Sequence, residues 1–139
     1  MKPSRTYKLR LSDEGIGLFL ECHCRLARLE REFIPYGATL ATAVVLLETS
    51  EPRDLMVELA TLRFARCLGD TVRFVGTSIA LKPAIDRILL ALRASHAQMR
   101  MPKSGQLYVA GLLLLRSAND EMLKTSLNQT RFDYGIEST

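Results

Sequence analysis

The first residues of the chain alternate between polar and apolar side chains. Between Thr6 and Leu11 every second side chain is apolar, so that Tyr7, Leu9 and Leu11 form one set. A period of two places such a set on one face of a β-strand and the polar residues on the other face. Ser12 then offers a hydroxyl of the kind that favours a helix N-cap. The pattern therefore predicts a half-buried strand that leads into a helix.

Two stretches of helical periodicity follow this strand. In the first, apolar positions recur at steps of three and four, which predicts an amphipathic helix that ends near Glu32. Pro35 and Gly37 interrupt the pattern. The next segment, from Ala38 to about Glu48, is apolar nearly all round, which indicates a helix buried at the centre of the fold. The apolar positions of the first helix are Phe19, Cys22, Leu26, Leu29 and Phe33.

A third helical stretch joins this part of the chain to the next. It begins at Glu51 and Pro52 and stops before Gly69 and Asp70, which favour a helix end. We therefore predict one connecting helix within residues 49–70.

The opening order of elements then recurs. Residues from Thr77 to Leu81 repeat the alternation of the first strand, and a helical face and a breaker follow them. Ser104 is the expected N-cap of a second strongly apolar helix, from Leu107 to Arg116. We interpret this recurrence as an internal repeat.

The two copies keep an approximate register along the chain. Leu11 corresponds to Leu81, 70 positions later (81 − 11), and Pro35 corresponds to Pro102, 67 positions later (102 − 35). We assign the first repeat to residues 5–48, the second to 71–118, and a C-terminal extension to 119–139. Beyond about Gln129 we expect a loosely held tail.

A single strand with one apolar face needs a partner, and the second copy supplies it. Antiparallel pairing of the two predicted strands would place their apolar faces on a core of four helices. At 139 residues the chain is long enough for one domain. The expected fold is thus mainly α with a two-stranded antiparallel β-ribbon, built as a single-chain pseudo-dimer.

The distribution of charge adds to this picture. Nineteen Lys and Arg against fifteen Asp and Glu give a formal net charge of +4, which permits a polyanionic partner without requiring one. Residues 1–11 contain Lys2, Arg5, Lys8 and Arg10 and no acidic residue. The basic charge is therefore concentrated on the first strand.

Composition also bears on the cellular compartment. Three cysteines are an odd number without a regular framework, and no signal-peptide pattern precedes them, so a reducing cytoplasm is expected. The longest apolar stretches, residues 38–47 and 107–115, are shorter than the roughly 20 residues of a membrane-spanning helix. We expect no membrane span.

With its alternating strand, two helices and their tandem copy, the chain resembles the ribbon-helix-helix family over residues 5–47 and 77–117. The resemblance implies binding of double-stranded DNA, with the ribbon in the major groove. Among single-chain forms the chain is similar to virulence proteins of T-DNA-transfer systems, which bind an enhancer beside the T-DNA border. An accessory role in processing and transfer of plasmid DNA, as in conjugation, follows as an expectation.

The resemblance also implies which residues contact the bases. The family reads bases with alternate outward strand residues, which are Thr6, Lys8 and Arg10 in the first copy. Lys and Arg can bond guanine O6 and N7. In the second copy these positions are Gly76, Ser78 and Ala80, of which Ser78 alone can donate a hydrogen bond from its side chain. Recognition is therefore expected to be asymmetric.

Phosphate contacts are implied where the second helix of each copy begins. Free N–H groups and the helix dipole favour an anion there. The positions are residues 37–39 in the first copy and 103–105 in the second, with Arg100 close to the latter. The candidate phosphate-contacting residues are Arg5, Thr39, Arg100, Lys103 and Ser104.

Other functions remain open from the residues alone. The family includes repressors and antitoxins, and a protein-interaction adaptor that recruits a partner ATPase or relaxase is a further alternative. Whether several pseudo-dimers associate on DNA is also open.

Cys22 and Cys24 project about 200° apart on a helix, so they cannot chelate one ion together. No catalytic constellation is evident, and we expect neither an enzyme nor a bound metal or other cofactor.

Overall fold

The computed structural model describes residues 3–96 and 100–135. Within these ranges the chain forms a two-stranded antiparallel sheet and seven helices, so a mainly helical protein with one antiparallel ribbon is confirmed. No helix in the described ranges has the length and apolar character needed to cross a bilayer. In chain order the elements are β1 (Ser4–Leu11), α1 (Asp13–Glu30), α2 (Tyr36–Thr49), α3 (Pro52–Leu59), α4 (Leu62–Cys67), β2 (Thr71–Ser78), α5 (Leu81–Ser95), α6 (Ser104–Ser117) and α7 (Asp120–Tyr134).

The second strand lies earlier in the chain than predicted. It runs from Thr71 to Ser78 rather than from Thr77 to Leu81. Leu81 is fully buried as the first residue of α5, while Ile79 is exposed in the connection. The alternation at 77–81 therefore reflects a strand end and a helix start, and the β-branched and aromatic residues before it form the strand.

Helix α1 begins at the predicted N-cap and ends at Arg31, close to the predicted end near Glu32. The Ser12 hydroxyl accepts a hydrogen bond from the Gly15 N–H at 3.2 Å, which caps the first turn. Arg31 ends the helix in a left-handed conformation with φ 55°. Phe33 was predicted on the apolar stripe, but it lies beyond this end and is 89% exposed. The stripe that packs on the core consists of Leu18, Phe19, Cys22 and Leu26.

Helix α2 occupies the centre of the fold, as its apolar sequence predicted. Every residue from Gly37 to Leu47 is buried. Helix α6 packs against it so closely that a β-carbon on Gly111 would stand 2.8 Å from the carbonyl oxygen of Ala43. The absence of a side chain at Gly111 therefore sets the distance between the two central helices.

The predicted single connecting helix is two short helices, α3 and α4. Thr61 separates them, because its hydroxyl accepts a hydrogen bond from the Phe64 N–H at 3.2 Å and caps α4. The Glu58 carboxylate, at the end of α3, is buried and accepts two hydrogen bonds from the Arg63 guanidinium, at 2.9 and 3.0 Å. These polar contacts hold the bend between the helices.

The prediction of a loose segment beyond Gln129 is wrong for residues 130–134, because α7 continues to Tyr134. Thr130 is fully buried, and its hydroxyl lies 3.1 Å from that of Thr42 on α2. The Tyr134 hydroxyl donates to the Glu48 carboxylate at 2.9 Å. The rest of the predicted tail, residues 136–139, lies outside the described residues.

Candidate nucleic-acid interface

The ribbon presents one face to solvent, which we call the outer face. Directly opposite residues of an antiparallel pair share a face, and Lys8 stands opposite Phe74 in the register. Neither strand contains an acidic residue. The basic residues of the outer face, Lys8 and Arg10, form no ion pair with any residue in ranges 3–96 and 100–135. The outer face consists of Thr6, Lys8 and Arg10 on β1 and Val72, Phe74 and Gly76 on β2.

The opposite face anchors the ribbon to the helices. Tyr7, Leu9 and Leu11 are buried, as the alternation predicted. The Tyr7 ring packs edge-on against Tyr108 of α6, with ring centroids 5.7 Å apart, and burial raises the pKa of Tyr7. Its hydroxyl donates to the Ser78 carbonyl oxygen at 2.6 Å. These contacts fix which side of the ribbon faces solvent.

Two candidate positions of the second strand do not belong to the exposed outer face. Ser78 is only 7% exposed, and its hydroxyl accepts a hydrogen bond from the Ala80 N–H at 3.1 Å. Ala80 itself precedes α5 as its N-cap and lies outside the strand. Ser78 has the register of the outer face, opposite Ser4, but its burial at the last position of the strand contradicts the expected exposure to DNA.

The start of α6 lies against the middle of β1. A β-carbon on Gly105 would stand 3.5 Å from the Lys8 carbonyl oxygen. Lys103, rather than the predicted Ser104, is the N-cap residue, and its N–H donates to the Gln106 side chain at 3.0 Å. Lys103 is exposed and Ser104 is half-buried as the first helical residue. This contact brings the helix start beside the basic strand.

Arg100 and Arg5 add basic side chains near these elements. Arg100 is exposed in the segment that precedes α6. Arg5 is exposed near the start of β1, with its guanidinium carbon 5.5 Å from the centre of the Tyr7 ring. A cation over an aromatic face is attracted to it, so this contact holds Arg5 at the ribbon.

The start of α2 lies against β2 in the same manner, but without basic residues. A β-carbon on Gly37 would stand 2.5 Å from the Gly76 carbonyl oxygen. Thr39, a candidate phosphate contact, is fully buried, and its hydroxyl lies 2.9 Å from His23 Nδ1. The Thr39 side chain therefore belongs to the interior, because residues on the inner side of α2 face α1 rather than solvent.

Phe74 and Val72 are the outer-face residues that sequence reasoning missed. The Phe74 side chain is 64% exposed, directly across from Lys8. The signal was present in the run Thr71 to Val75, which is rich in β-branched and aromatic residues. The second strand was predicted too late in the chain, at Thr77 to Leu81. Phe74 was therefore not among the candidate contacts.

The Cys22-His23-Cys24 sequence places its side chains on different sides of α1. The Cys22 thiol is buried and donates to the Leu112 carbonyl oxygen at 3.2 Å, and burial raises its pKa to about 12. Cys24 is exposed, and His23 contacts Thr39. Within the described part of the chain, no group of three or more His, Cys, Asp or Glu side chains is arranged to hold a metal ion.

Comparison of the chain with protein-family models, with curated proteins and with solved structures found no match. The geometry of the ribbon and of the two helix starts is therefore the basis for assigning a function.

Proposed function

We propose that this chain is a non-enzymatic protein that binds double-stranded DNA by inserting the outer face of its ribbon into the major groove. One observation carries the proposal: a two-stranded ribbon without acidic residues exposes Lys8 and Arg10 in the same direction. The major groove of B-DNA admits a ribbon of this width, and Lys and Arg can bond the guanine edge there. Phosphates along the groove attract the same charges.

A repeated arrangement around the ribbon supports the proposal. The order strand, helix, helix occurs as β1-α1-α2 and again as β2-α5-α6. Gly37 contacts the Gly76 carbonyl, and Gly105 faces the Lys8 carbonyl. Gly105 lies 68 positions after Gly37 (105 − 37), and Gly76 lies 68 positions after Lys8 (76 − 8). The two contacts are therefore equivalent, with the roles of the two halves exchanged. An approximate two-fold axis between the halves accounts for this exchange.

The crossing of the two central helices has the same offset. Gly111 follows Ala43 by 68 positions (111 − 43), and these two residues touch where α2 and α6 cross. A residue and its equivalent meet in this way only near the axis that relates them. We therefore propose a single-chain, pseudo-dimeric ribbon-helix-helix fold, with an offset of 68 in place of the 70 and 67 that the sequence indicated.

The two halves are unequal, and this inequality defines how DNA would be held. Lys103 and Ser104 begin α6 with Arg100 just before them, whereas Tyr36 and Gly37 begin α2. A helix start with nearby cations is the better phosphate site. We assign base contacts mainly to Lys8 and Arg10 on β1, and phosphate contacts to Arg5 and to the start of α6.

The biological setting follows from the resemblance of the sequence alone. We propose an accessory role for this protein in processing and transfer of T-DNA or plasmid DNA in the cytoplasm. A repressor or antitoxin of the same fold would use the same interface.

One structural observation favours an adaptor as the second candidate. Val72 and Gly76 offer the bases no hydrogen-bonding side chain on β2. An adaptor of this fold would recruit a partner ATPase or relaxase without reading DNA. Co-purification with such a partner after nuclease treatment, together with absent duplex binding, would establish that alternative.

Fluorescence anisotropy with random-sequence duplexes at several salt concentrations tests the proposal. Affinity should fall steeply as salt rises, because phosphate contacts release counterions. Lys103→Ala should weaken binding to all duplexes alike and reduce the slope of log affinity against log salt by about 1. Lys124→Ala, which removes an exposed charge from α7, is the matched control and should leave the slope unchanged.

A second comparison addresses sequence reading. Selection from a duplex library should yield preferred sequences for the wild type. The double variant Lys8→Ala, Arg10→Ala should show a smaller difference in affinity between preferred and random duplexes. Each good side chain–guanine pair contributes about 1–3 kcal/mol of discrimination. Absence of duplex binding by the wild type at low salt would contradict the proposal.

A further inference from the structure

We infer that Phe74 contacts the 5-methyl group of a thymine in the bound duplex and so makes thymine part of the preferred sequence. The inference rests on the proposed function, and it names a feature of the DNA that the basic residues do not select.

Phe74 projects from the middle of the outer face. It lies at the middle of β2, directly opposite Lys8, so both side chains project from the outer face. The ring is 64% exposed and stands outside the buried core of the described residues. In a duplex complex, the centre of the ribbon is the part that enters the groove most deeply.

The surroundings of Phe74 permit close approach of a ligand. Gly76 is its neighbour on the same face, and a β-carbon built there would meet no described atom within 4 Å. Because Gly76 has no side chain, the outer face has no side-chain atoms at position 76 beside the Phe74 ring. A base edge can reach the side of Phe74 without meeting another side chain of β2 at position 76.

The chemistry of the major groove identifies the group that an aromatic ring would meet. The base edges there carry hydrogen-bond donors and acceptors, which an apolar ring leaves unpaired, and the thymine methyl is the apolar group that they offer. Contact with this methyl removes apolar surface of both partners from water. Lys8 across the ribbon is suited to guanine, so the pair would read a guanine and a thymine on nearby base pairs.

Removal of the methyl group alone provides the test. Duplexes selected by the wild-type protein from a random library are synthesised again with deoxyuridine in place of thymidine, which preserves base pairing. Wild-type affinity should fall about fourfold for each buried methyl group. Phe74→Ala should bind the thymidine duplex more weakly by a similar factor and should not distinguish the two duplexes.

Two controls separate this effect from general damage. Phe132→Ala removes a more exposed ring, 82% exposed on α7, and should retain the full preference for the thymidine duplex. Phe74→Leu retains an apolar side chain and should retain part of the preference. Circular dichroism melting of each variant establishes that the fold is intact.

Each outcome decides the inference. Equal wild-type binding to both duplexes would overturn it while leaving the proposed function standing, and so would a preference for thymidine that persists in Phe74→Ala. Failure of the wild type to bind any duplex would overturn both. Loss of the preference in Phe74→Ala but not in Phe132→Ala supports it.

Discussion

Gly111 and Ala43 touch where the two central helices cross, with the Ala43 carbonyl oxygen 2.8 Å from the point where a β-carbon on Gly111 would stand. Both helices are buried along this contact. Neither helix can move away without opening the core, because protein interiors are close-packed. The contact therefore makes position 111 intolerant of even one added carbon.

We expect Gly111→Ala to lower the free energy of unfolding by about 1–3 kcal/mol, the usual cost of overpacking a core. Urea denaturation measures this change. Gly17→Ala is the matched control, since Gly17 is exposed on α1 and an added β-carbon meets nothing within 4 Å. It should raise the stability by about 0.5–1 kcal/mol, because alanine favours a helix interior. Equal stability of the two variants would refute the close crossing.

The three cysteines should react with alkylating agents at very different rates. Cys24 is exposed, whereas Cys22 and Cys67 are buried and burial raises the pKa of both thiols, that of Cys22 to about 12. The thiolate is the reactive form, so Cys24 should be alkylated first. Mass spectrometry after brief treatment with iodoacetamide should show one adduct. Cys24→Ser should show almost none, and both proteins should be labelled fully in denaturant.

Acidification should destabilise the protein partly through His23. Burial lowers its pKa in the folded state below the ordinary value of 6.5, so the unfolded chain binds more protons at mildly acidic pH. The resulting contribution to stability is fully present above 6.5 and is lost as the pH falls through the lowered pKa. Melting temperatures of wild type and His23→Gln should therefore converge as the pH falls below 6.5. A constant difference at every pH would exclude this titration as a cause.

The attachment of α7 can be tested at its last turn. Tyr134 is buried and bonded to Glu48, whereas Phe132, two residues earlier, is 82% exposed. Tyr134→Ala should lower the free energy of unfolding by about 3 kcal/mol, as for other buried aromatic residues. Phe132→Ala should change it by less than about 0.5 kcal/mol. Similar small effects of both substitutions in urea would mean that the end of α7 is not docked.

The sequence pattern predicted the first half of the fold well and the second strand poorly. Around Tyr7 and Leu9 the alternation is strict, because one face is packed and the other solvated. On β2, Arg73 faces the same side as buried Leu9 yet remains exposed near the strand end. The alternation of apolar and polar residues therefore fails on β2. The second strand was predicted near Leu81 instead, because the alternation is more regular there. Strand propensity in residues 71–75 was the better guide.

The end of the chain illustrates a second limit. Leu123, Leu127, Thr130 and Tyr134 are buried at steps of four and three, which is a helical stripe. A threonine at one of these positions concealed the periodicity. Its burial depends on a hydroxyl partner, Thr42, which lies 88 residues earlier. Such a tertiary contact cannot be read from a local window.

Within the candidate interface, the residues of β1 could be predicted, and those that depend on tertiary packing could not. Thr6, Lys8 and Arg10 are exposed on the outer face as their alternation indicated. Thr39 and Ser78 are polar residues whose types suit a surface. They are buried because the start of α2 and the end of β2 pack against neighbouring elements.

The ribbon also constrains the order in which the chain can fold during its synthesis. Residues that pair across it are between 60 and 74 positions apart (71 − 11 and 78 − 4). At a synthesis rate of about 5–20 residues per second, β1 waits roughly 3–15 s for its partner strand. Throughout that interval the apolar side chains of Tyr7 and Leu9 and an unpaired strand edge are available to other chains. Of the two ribbon strands, the one that carries the basic face is thus made first, and it stays unprotected until the other has been made.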